Sequence, residues 1–326
     1  MRNFTFKGLL LTAVFMLLGC LSIQAANDDL ITKQITINLD KAGTLPNKIA
    51  SSEMYKITNL KIIGEINGTD WNMIREMAGR DNRGYGTEGK LSVLDLSEAK
   101  IVKGGDSYYP GDNCYTSNDE IGEKAFTDCS RLTSLTLPVG ITSIGYDAFA
   151  YCSGLTSLTL PAGITSIGEY AFSGCSGLTS LTLPAGITSI DKYAFSGCSR
   201  LTSLTLPAGI TSIGEFAFSY CSGLTSIYVY AEKVPRIGRY AFEGCASRKC
   251  TLYVPKGTYD NYRLSEFGYF ENIVEFDPTG IDKTTTSTDV EEVSRYSVNG
   301  QRLAVPVKGL NIVKYSDGTA RKVVVK

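Results

Sequence analysis

A 23-residue unit repeated four times without interruption is the feature that most limits how this chain can fold. Its second copy, residues 155–177, reads LTSLTLPAGITSIGEYAFSGCSG. The other copies begin at Leu132, Leu178 and Leu201, and no residue is inserted between them. Self-similarity at a short fixed period is typical of a solenoid, in which each unit stacks on its neighbours.

The first half of each unit predicts a β-strand. Over residues 155–160 apolar and polar side chains alternate, which indicates a strand with one face in the core. Pro161 has no backbone N–H group to donate, so the strand ends there in a turn. One unit alone buries too little apolar surface to fold. Stacking on neighbours has to supply the rest, and the terminal rungs have to be atypical caps.

The second half of each unit returns the chain to the core. Ile164 and Ile167 indicate a second short strand, and Ala171, Phe172 and Cys175 predict one helical or 3₁₀ turn with an inward face. The expected fold is therefore a leucine-rich-repeat solenoid of 23-residue rungs, each a β-strand plus a short helical or 3₁₀ turn. A small all-β C-terminal domain is expected to follow it.

The unit LTSLTLPAGITSIGEYAFSGCSG resembles the BspA-type leucine-rich repeat, which is common in surface proteins of Bacteroidetes and some parasites. The resemblance extends over about residues 91–276. It implies a role in adhesion to host matrix proteins or to other cells. The repeat of that family contains no active site, so the resemblance implies none here.

Residues 1–26 have the pattern of a secretory signal peptide. Basic residues precede an apolar run at residues 9–18, and small residues follow at Ala25. The run is too short to predict a transmembrane span. The tripeptide that ends at Cys20 also resembles a lipoprotein box, so lipidation of Cys20 is the alternative to cleavage near Ala25. Both interpretations predict a secreted or outer-membrane surface protein, with membrane association only by anchoring.

Residues 27–90 are predicted to form the N-terminal cap and the first rung, whose strand lies at residues 57–62. Residues 70–77 indicate a short amphipathic helix with Asp70 as its N-cap. Trp71 is the single tryptophan of the chain. We expect it to plug the open end of the solenoid core, and the alternative is an exposed aromatic that binds a ligand.

Residues 91–249 are predicted to hold the leucine-rich repeats, with an insertion at residues 103–120 that is rich in Tyr, Gly, Asp and Asn. A long loop on a rigid scaffold often carries function, and tyrosine offers a large contact area at low entropic cost. The candidate ligand-binding residues of the insertion are therefore Tyr108, Tyr109 and Tyr115. The alternative is a solvated loop without a ligand. The acidic residues of the insertion match no calcium-loop spacing, so no metal is assigned to it.

Residues 250–278 are predicted to form the C-terminal cap, whose aromatic residues cover the core end, and residues 279–290 a polar linker. Residues 291–326 predict a small β domain, because Xaa-Gly pairs that end at Gly300 and Gly318 are hairpin signals. The ending GLNIVKYSDGTARKVVVK resembles the C-terminal sorting domain of the type IX secretion system. That resemblance implies export across the outer membrane. The alternative is a β appendage with no sorting role.

Nine cysteines and no histidine limit the chemistry of this chain. Five cysteines recur at the repeat period, and each is expected to fill the same inward site as a thiol: Cys129, Cys152, Cys175, Cys198 and Cys221. The alternative is a disulfide between cysteines of successive rungs, whose Cα atoms are close enough for one. Cys245 and Cys250 are the only other plausible pair, and Cys114 lies outside the period. Without histidine, Ser–His–Asp and Cys–His catalysis and His-ligated zinc are excluded. We expect no enzyme activity, no cofactor and no metal.

The outward-facing residues of the strands form a front row along the predicted solenoid. The four regular units contain only six charged residues, so the basic stripe that a nucleic-acid surface needs is missing and nucleic acid is excluded as a partner. The row is uniform threonine in its middle, charged at one end beside Lys61 and aromatic at the other. Its candidate ligand-binding residues are Asp95, Thr136, Thr159, Thr182, Thr205, Tyr228 and Tyr253.

The sequence thus predicts a secreted or cell-surface binding protein that engages a host matrix protein, another cell or a glycan through its repeats. The alternative is a structural or spacer protein of the envelope, which the near-identity of the four units favours. A third interpretation is an ice or crystal-surface binder, because regular threonine arrays can bind such surfaces. If the protein has a specific ligand, we expect the two ends of the front row to bind it.

Overall fold

The computed structural model describes residues 30–109, 114–278, 292–297, 302–303, 308–315 and 320–325. The predicted signal peptide and linker lie outside these residues. From Ile31 to Phe276 the chain winds as a parallel β-solenoid whose rungs are joined by two ladders of backbone hydrogen bonds. The leucine-rich-repeat solenoid expected from the repeated unit is confirmed.

The longer strand of each rung lies in what we call the front sheet, where all neighbours are parallel. The sequence places the first rung at residues 57–62. However, all five residues of an earlier strand, Ile35–Leu39, pair with residues 60–64, so the solenoid begins one rung earlier than predicted. The strands are Ile35–Leu39, Asn59–Ile66, Val93–Ile101, Ser134–Thr136 and Ser157–Thr159, then Ser180–Thr182, Ser203–Leu206, Ser226–Val229, Thr251–Pro255 and Asn272–Phe276.

The predicted second strand of each unit is confirmed as a two-residue strand in a side sheet. Its isoleucine faces the core, and the residue before it, a serine, an arginine or in one case Glu120, faces outward. The strands of this sheet are Glu120–Ile121, Ser143–Ile144, Ser166–Ile167, Ser189–Ile190, Ser212–Ile213 and Arg236–Ile237.

The predicted helical turn of each unit is a run of separate turns rather than a continuous helix. The Cys175 N–H group donates to the Phe172 carbonyl at 3.1 Å, which is the three-residue span of a 3₁₀ turn. The Phe172 N–H group donates instead to Ala194 of the next rung, at 2.7 Å. Tyr170 adopts a left-handed φ of 57°, which ends any helical path. Half of the turn therefore bonds within its rung and half bonds the next rung.

A column of stacked phenylalanine rings runs through the core behind these turns. Successive ring centroids are between 5.0 and 5.5 Å apart along Phe126, Phe149, Phe172, Phe195, Phe218 and Phe242. Trp71 continues the column at its N-terminal end, 5.2 Å from Phe126, and its indole N–H donates to the Ala125 carbonyl at 3.0 Å. The expectation that Trp71 plugs the core end is confirmed. Phe267 and Phe270 contact Phe242 and cover the other end.

The recurring cysteines lie beside this column as buried thiols, as expected. From the second one onward, each thiol donates to the phenylalanine carbonyl of the preceding rung: Cys152, Cys175, Cys198, Cys221 and Cys245. Cys245 and Cys250 are both buried thiols, so the disulfide considered for them is not formed. Burial raises the pKa of the Cys175 thiol to about 12. Such thiols are inert packing groups.

The N-terminal cap contains a 3₁₀ helix, Leu45–Asn47, and an α-helix, Gly68–Met77. The N-cap of the α-helix is Asn67 rather than Asp70, which corrects the predicted start. Asp70 occupies the third helical position of a capping box, and its buried carboxylate accepts N–H groups from Gly43, Leu45 and Asn67. One carboxylate thereby joins the helix to the segment before it.

The C-terminal cap contains the α-helix Tyr259–Arg263 and the 3₁₀ helix Glu266–Tyr269. Beyond it, four antiparallel strands form a separate sheet: Glu292–Ser297, Arg302–Leu303, Gly309–Tyr315 and Ala320–Val325. The Gly residues of the two predicted hairpin turns lie outside the described residues. No helix in the described part of the chain is long and apolar enough to cross a lipid bilayer.

Candidate ligand-binding surfaces

The structure aligns the front row as the spacing predicts. Lys61 pairs in register with Asp95, and Asp95 with Thr136. Thr205 pairs with Tyr228, and Tyr228 with Tyr253. Three of the row's threonines are exposed and Thr205 is half-buried. The front row is thus a line of side chains that repeats at the strand spacing of about 4.8 Å wherever neighbouring front strands are hydrogen-bonded.

The charges at the N-terminal end of the row neutralise one another. The Lys61 ammonium lies 3.6 Å from the Asp95 carboxylate and also bonds Glu98. The hydrogen bond with Glu98 raises the pKa of Lys61. Burial opposes ionisation of Asp95, but hydrogen bonds from Ser97 and the Lys61 charge outweigh it and lower the pKa of Asp95. This end therefore offers a ligand little unpaired charge.

Aromatic rings crowd the C-terminal end of the row. The Tyr228 and Tyr253 rings stack nearly parallel with centroids 4.4 Å apart. Phe276 meets Tyr228 and Tyr230 edge-on, at 6.0 and 5.2 Å. We call these four residues the front aromatic cluster. The sequence does not identify Tyr230 and Phe276 as candidates, because they come from the ends of two strands that only the stacking of the rungs brings together.

The front and side sheets are both interrupted between the rung of Leu155 and the rung of Leu178. Strands Ser157–Thr159 and Ser180–Thr182 belong to separate sheets, and so do Ser166–Ile167 and Ser189–Ile190. A groove of about 420 Å³ opens on the front face between these rungs, lined by Ser157, Thr159, Ser180, Thr182 and Pro184. The turns remain joined there, since Tyr170 still donates to Lys192 at 3.0 Å.

One residue explains the interruption. Glycine stands after the side strand in each of the other rungs from Leu132 onward, at Gly145, Gly168, Gly214 and Gly238. A Cβ atom at Gly168 would lie 2.8 Å from the backbone of the preceding rung, and one at Gly214 only 2.6 Å. Asp191 holds this place in the rung of Leu178 and carries such a Cβ atom. The rung of Leu178 therefore lies farther from the preceding rung than the other rungs do from theirs.

The predicted insertion is a hairpin packed on the cap helix. Its strands, Gly104–Tyr109 and Cys114–Thr116, pair antiparallel. The Thr69 hydroxyl donates to the Asp106 carboxylate at 2.8 Å, and Asn72 donates to the Ser107 carbonyl at 3.3 Å. Much of the insertion thus extends the cap rather than forming a solvated loop. Residues 110–113 lie outside the described residues.

The three tyrosines of the insertion have different surroundings. Tyr108 is buried beside Trp71 and donates to the Glu123 carbonyl at 2.9 Å, so it is not available to a surface ligand and leaves the candidate set. Tyr109 is half-buried between the charges of Arg75 and Lys124. Tyr115 is 53% exposed and remains a candidate ligand-binding residue.

A second line of aromatic rings lies on the turn side of the solenoid, where the sequence analysis placed no site. We call it the ring column. The ring centroids of Tyr170, Tyr193, Phe216 and Tyr240 are 4.7, 4.8 and 5.1 Å apart. All four residues have left-handed φ angles of 55 to 57°. The same backbone conformation thus recurs at each ring, and the stacked rings shield one another.

A pocket of about 320 Å³ lies at the C-terminal end of the ring column. Arg239, Tyr240, Phe242, Glu266 and Tyr269 line it. At the other end, Tyr146 meets Tyr170 edge-on at 5.8 Å and is 40% exposed. Within the described residues, no group of three His, Cys, Asp or Glu could hold a metal ion.

Comparison with solved structures finds leucine-rich-repeat proteins of bacteria. The T. pallidum leucine-rich-repeat protein is 32% identical, with 42% of this chain and 62% of that chain covered and a TM-score of 0.39. A leucine-rich-repeat protein from Bacteroides ovatus is 25% identical, with 43% and 48% covered and a TM-score of 0.34. A leucine-rich cell surface protein from Faecalibacterium prausnitzii is 23% identical, with 67% and 51% covered and a TM-score of 0.34. This chain thus spans less than two thirds of each of them.

No curated protein matches this chain. Comparison with family models finds a match described as a BspA type leucine rich repeat region. It recurs in six copies over residues 119–249, which are the rungs that carry the phenylalanine column and the recurring cysteines. Residues 119–249 of this protein therefore form a leucine-rich-repeat region that matches the BspA type.

Proposed function

We propose that this protein is exported to the cell surface and binds a protein ligand there through the front aromatic cluster. The observation that carries the proposal is the contrast along the front row. Its middle repeats one hydroxyl side chain, its N-terminal charges are paired with each other, and its C-terminal end gathers four aromatic rings. Tyrosine anchors of this kind dominate the binding energy of protein interfaces.

The packing of the cluster favours a protein ligand over a glycan. Tyr228 and Tyr253 turn their ring faces toward each other, and Phe276 closes on Tyr228 with its edge. A sugar ring stacks on an open aromatic face, and this pair has at most its outer faces to offer. A protein ligand can use the ring edges and hydroxyl groups together. A matrix protein of the host or a protein of another cell, as the resemblance to the repeat family implies, fits this role.

The first experiment is a binding screen of the mature protein against matrix proteins, cell-surface proteins and glycans, followed by two variants. Tyr253→Ala should weaken binding of the captured protein at least about tenfold, since a central aromatic anchor contributes more than about 1.4 kcal/mol. Thr159→Ala, a truncation in the middle of the same row, should leave binding unchanged. Binding that is lost in Thr159→Ala and kept in Tyr253→Ala would contradict the assignment.

Export to the surface has its own test, independent of the ligand. Protease added to intact cells should degrade the protein, and deletion of residues 1–26 or of residues 291–326 should keep it inside. Protection of the full-length protein in intact cells would contradict the proposed location.

The uniform middle of the row favours a second candidate, an envelope spacer without a dedicated ligand. Four nearly identical rungs set a length and present no chemical distinction between rungs. If no ligand in the screen binds and the protein is still found at the cell surface, the spacer function is supported.

A further inference from the structure

The turn side of the solenoid carries a second line of side chains next to the ring column. Each residue that precedes a ring is charged, and the signs alternate along the solenoid: Glu169, Lys192, Glu215 and Arg239. We call this line the charge column. Lys192 and Glu215 lie 3.6 Å apart with side chains that are 56% and 44% exposed, and such accessible pairs contribute little to stability. Unlike Lys61 and Asp95, whose side chains are only 20% and 23% exposed, these two side chains can still reach a partner.

The charge column is complementary to its own reverse. Read from one end it is acidic, basic, acidic, basic, and read from the other end it has the opposite sign at each place. A second copy laid antiparallel would set Glu169 against Arg239 and Lys192 against Glu215. A second copy laid parallel would set like charges against each other, which costs free energy in an interface.

We propose that two copies of this chain associate antiparallel through their turn sides, with a two-fold axis between Tyr193 and Phe216. This arrangement uses the same surface on both subunits, as a two-fold interface requires. The ring column of one copy then faces the ring column of the other, Tyr193 against Phe216 and Tyr170 against Tyr240. The spacings match without adjustment, because both columns carry the same rung repeat.

The same two-fold axis places Tyr146 of each copy against a pocket of the other copy. One rung beyond Tyr240 the turn is replaced by the C-terminal cap, and the pocket of about 320 Å³ lies there. The antiparallel arrangement brings the exposed Tyr146 of the second copy to this pocket, once at each end of the interface. Aromatic side chains in pockets are the usual anchors of protein interfaces.

A third column is consistent with the arrangement. It places Tyr220, which is 59% exposed, opposite Gly197 of the second copy. The nearest atoms to a Cβ at Gly197 are backbone atoms of Gly174 at 3.6 and 3.7 Å, so no side chain covers this glycine. In contrast, Gly174 lies under the ring of Tyr151, and Gly244 under the ring of Tyr220. An exposed tyrosine thus meets the one bare glycine of its column.

The test is a charge swap in the full mature protein, with molar mass followed by sedimentation over a range of concentrations. The wild type should dimerise. Glu169→Lys and Arg239→Glu alone should each raise the dimer dissociation constant at least about tenfold, because each puts like charges together at two symmetric places. The double variant Glu169→Lys/Arg239→Glu should restore the dimer, since the reversed pair has the same geometry.

One control variant and one further interface variant show whether the effect is specific to this surface. Arg200→Glu changes an exposed charge outside the columns and should leave the dimer intact. Tyr146→Ala should weaken it while leaving the circular-dichroism spectrum unchanged. A wild type that is monomeric at every concentration overturns the proposal. So does a dimer that tolerates both single reversals, or one that the double variant fails to restore.

Discussion

Asp191 and Gly168 hold equivalent places in adjacent rungs, and both sheets of the solenoid separate between them. At the next junction, Thr211 donates to Thr188 at 2.8 Å and Gly214 donates to Ile190 at 2.8 Å. Across the open junction, in a stretch that the structure describes throughout, the matching bonds from Thr188 and Asp191 are not formed. One side chain in place of a hydrogen atom thus removes two backbone bonds of the side sheet, while the Thr179 N–H group still donates to the Thr156 carbonyl at 3.2 Å near the front strands.

Replacing Asp191 with glycine should close the junction. Two backbone hydrogen bonds would be gained, each contributing about 0.5–1.5 kcal/mol, less about 0.5–1 kcal/mol for the added freedom of glycine. Amide hydrogen exchange should slow at Thr188 and at position 191. Asp191→Ala is the matched control, because it removes the charge but keeps the Cβ atom, and it should leave exchange unchanged. Equal protection in both variants would show that the carboxylate, and not the Cβ atom, holds the rungs apart.

The reverse change should open a closed junction. A Cβ atom at Gly214 would lie 2.6 Å from the backbone nitrogen of Lys192. Because the backbone cannot easily move aside, Gly214→Ala should lower the free energy of unfolding by about 1–3 kcal/mol. At Gly209 the nearest atom would be 3.6 Å away, and Gly209→Ala should be nearly neutral. Chemical denaturation of the two variants checks this. Similar stability for both would contradict the crowding argument.

Asp70 should be essential to the N-terminal cap. Its buried carboxylate accepts three backbone N–H groups, and Asp70→Ala would leave those donors without a partner. We expect a loss of about 3 kcal/mol or more in the free energy of unfolding. Asp40→Ala, at a carboxylate that is 94% exposed, should change it by less than about 1 kcal/mol. Thermal unfolding compares the two, and a mild effect of Asp70→Ala would mean that the cap is held by its apolar contacts alone.

The buried thiols should make the fold sensitive to alkali. Burial raises the pKa of Cys175 to about 12, whereas an unfolded thiol ionises near about 8.5. Between these values the unfolded chain releases protons that the folded chain retains, so stability falls as pH rises, by about 1.4 kcal/mol per pH unit for each such thiol. Cys175→Ala should make that slope shallower by this amount. Urea denaturation at about pH 9 and about pH 11 measures it, with Ser173→Ala as the control. An unchanged slope would mean that the thiol ionises in the folded state too.

The periodic features of this protein followed from its sequence, and the exceptions to the period did not. The rung, the second strand, the thiol sites and the register of the front row all follow from repetition, because equivalent residues in a stack must occupy equivalent places. The effect of Asp191 could have been found the same way, from one glycine column with a single aspartate in it. It required knowing that this column faces the backbone of the preceding rung.

The burial of Tyr108 and the ring column were beyond the sequence for different physical reasons. Tyr108 is buried by a helix about forty residues earlier in the chain, and no local pattern reports that contact. The ring column depends on left-handed backbone at Tyr170 and its equivalents. A Glu-Tyr or Lys-Tyr pair in a polar turn gives no indication of that conformation. The front aromatic cluster was half predicted, because Tyr228 and Tyr253 share a periodic place and Phe276 does not.

Removal of one whole rung tests most directly whether the repeats set a length or bind the ligand. Deletion of residues 155–177 joins Gly154 to Leu178 and keeps the period of 23 residues, both caps and the front aromatic cluster. If the repeats set a length and the aromatic end binds, the shortened protein should hold the captured protein ligand with unchanged affinity, measured by calorimetry. A loss of affinity in the shortened protein, with its fold intact, would show that the threonine row itself is the binding surface.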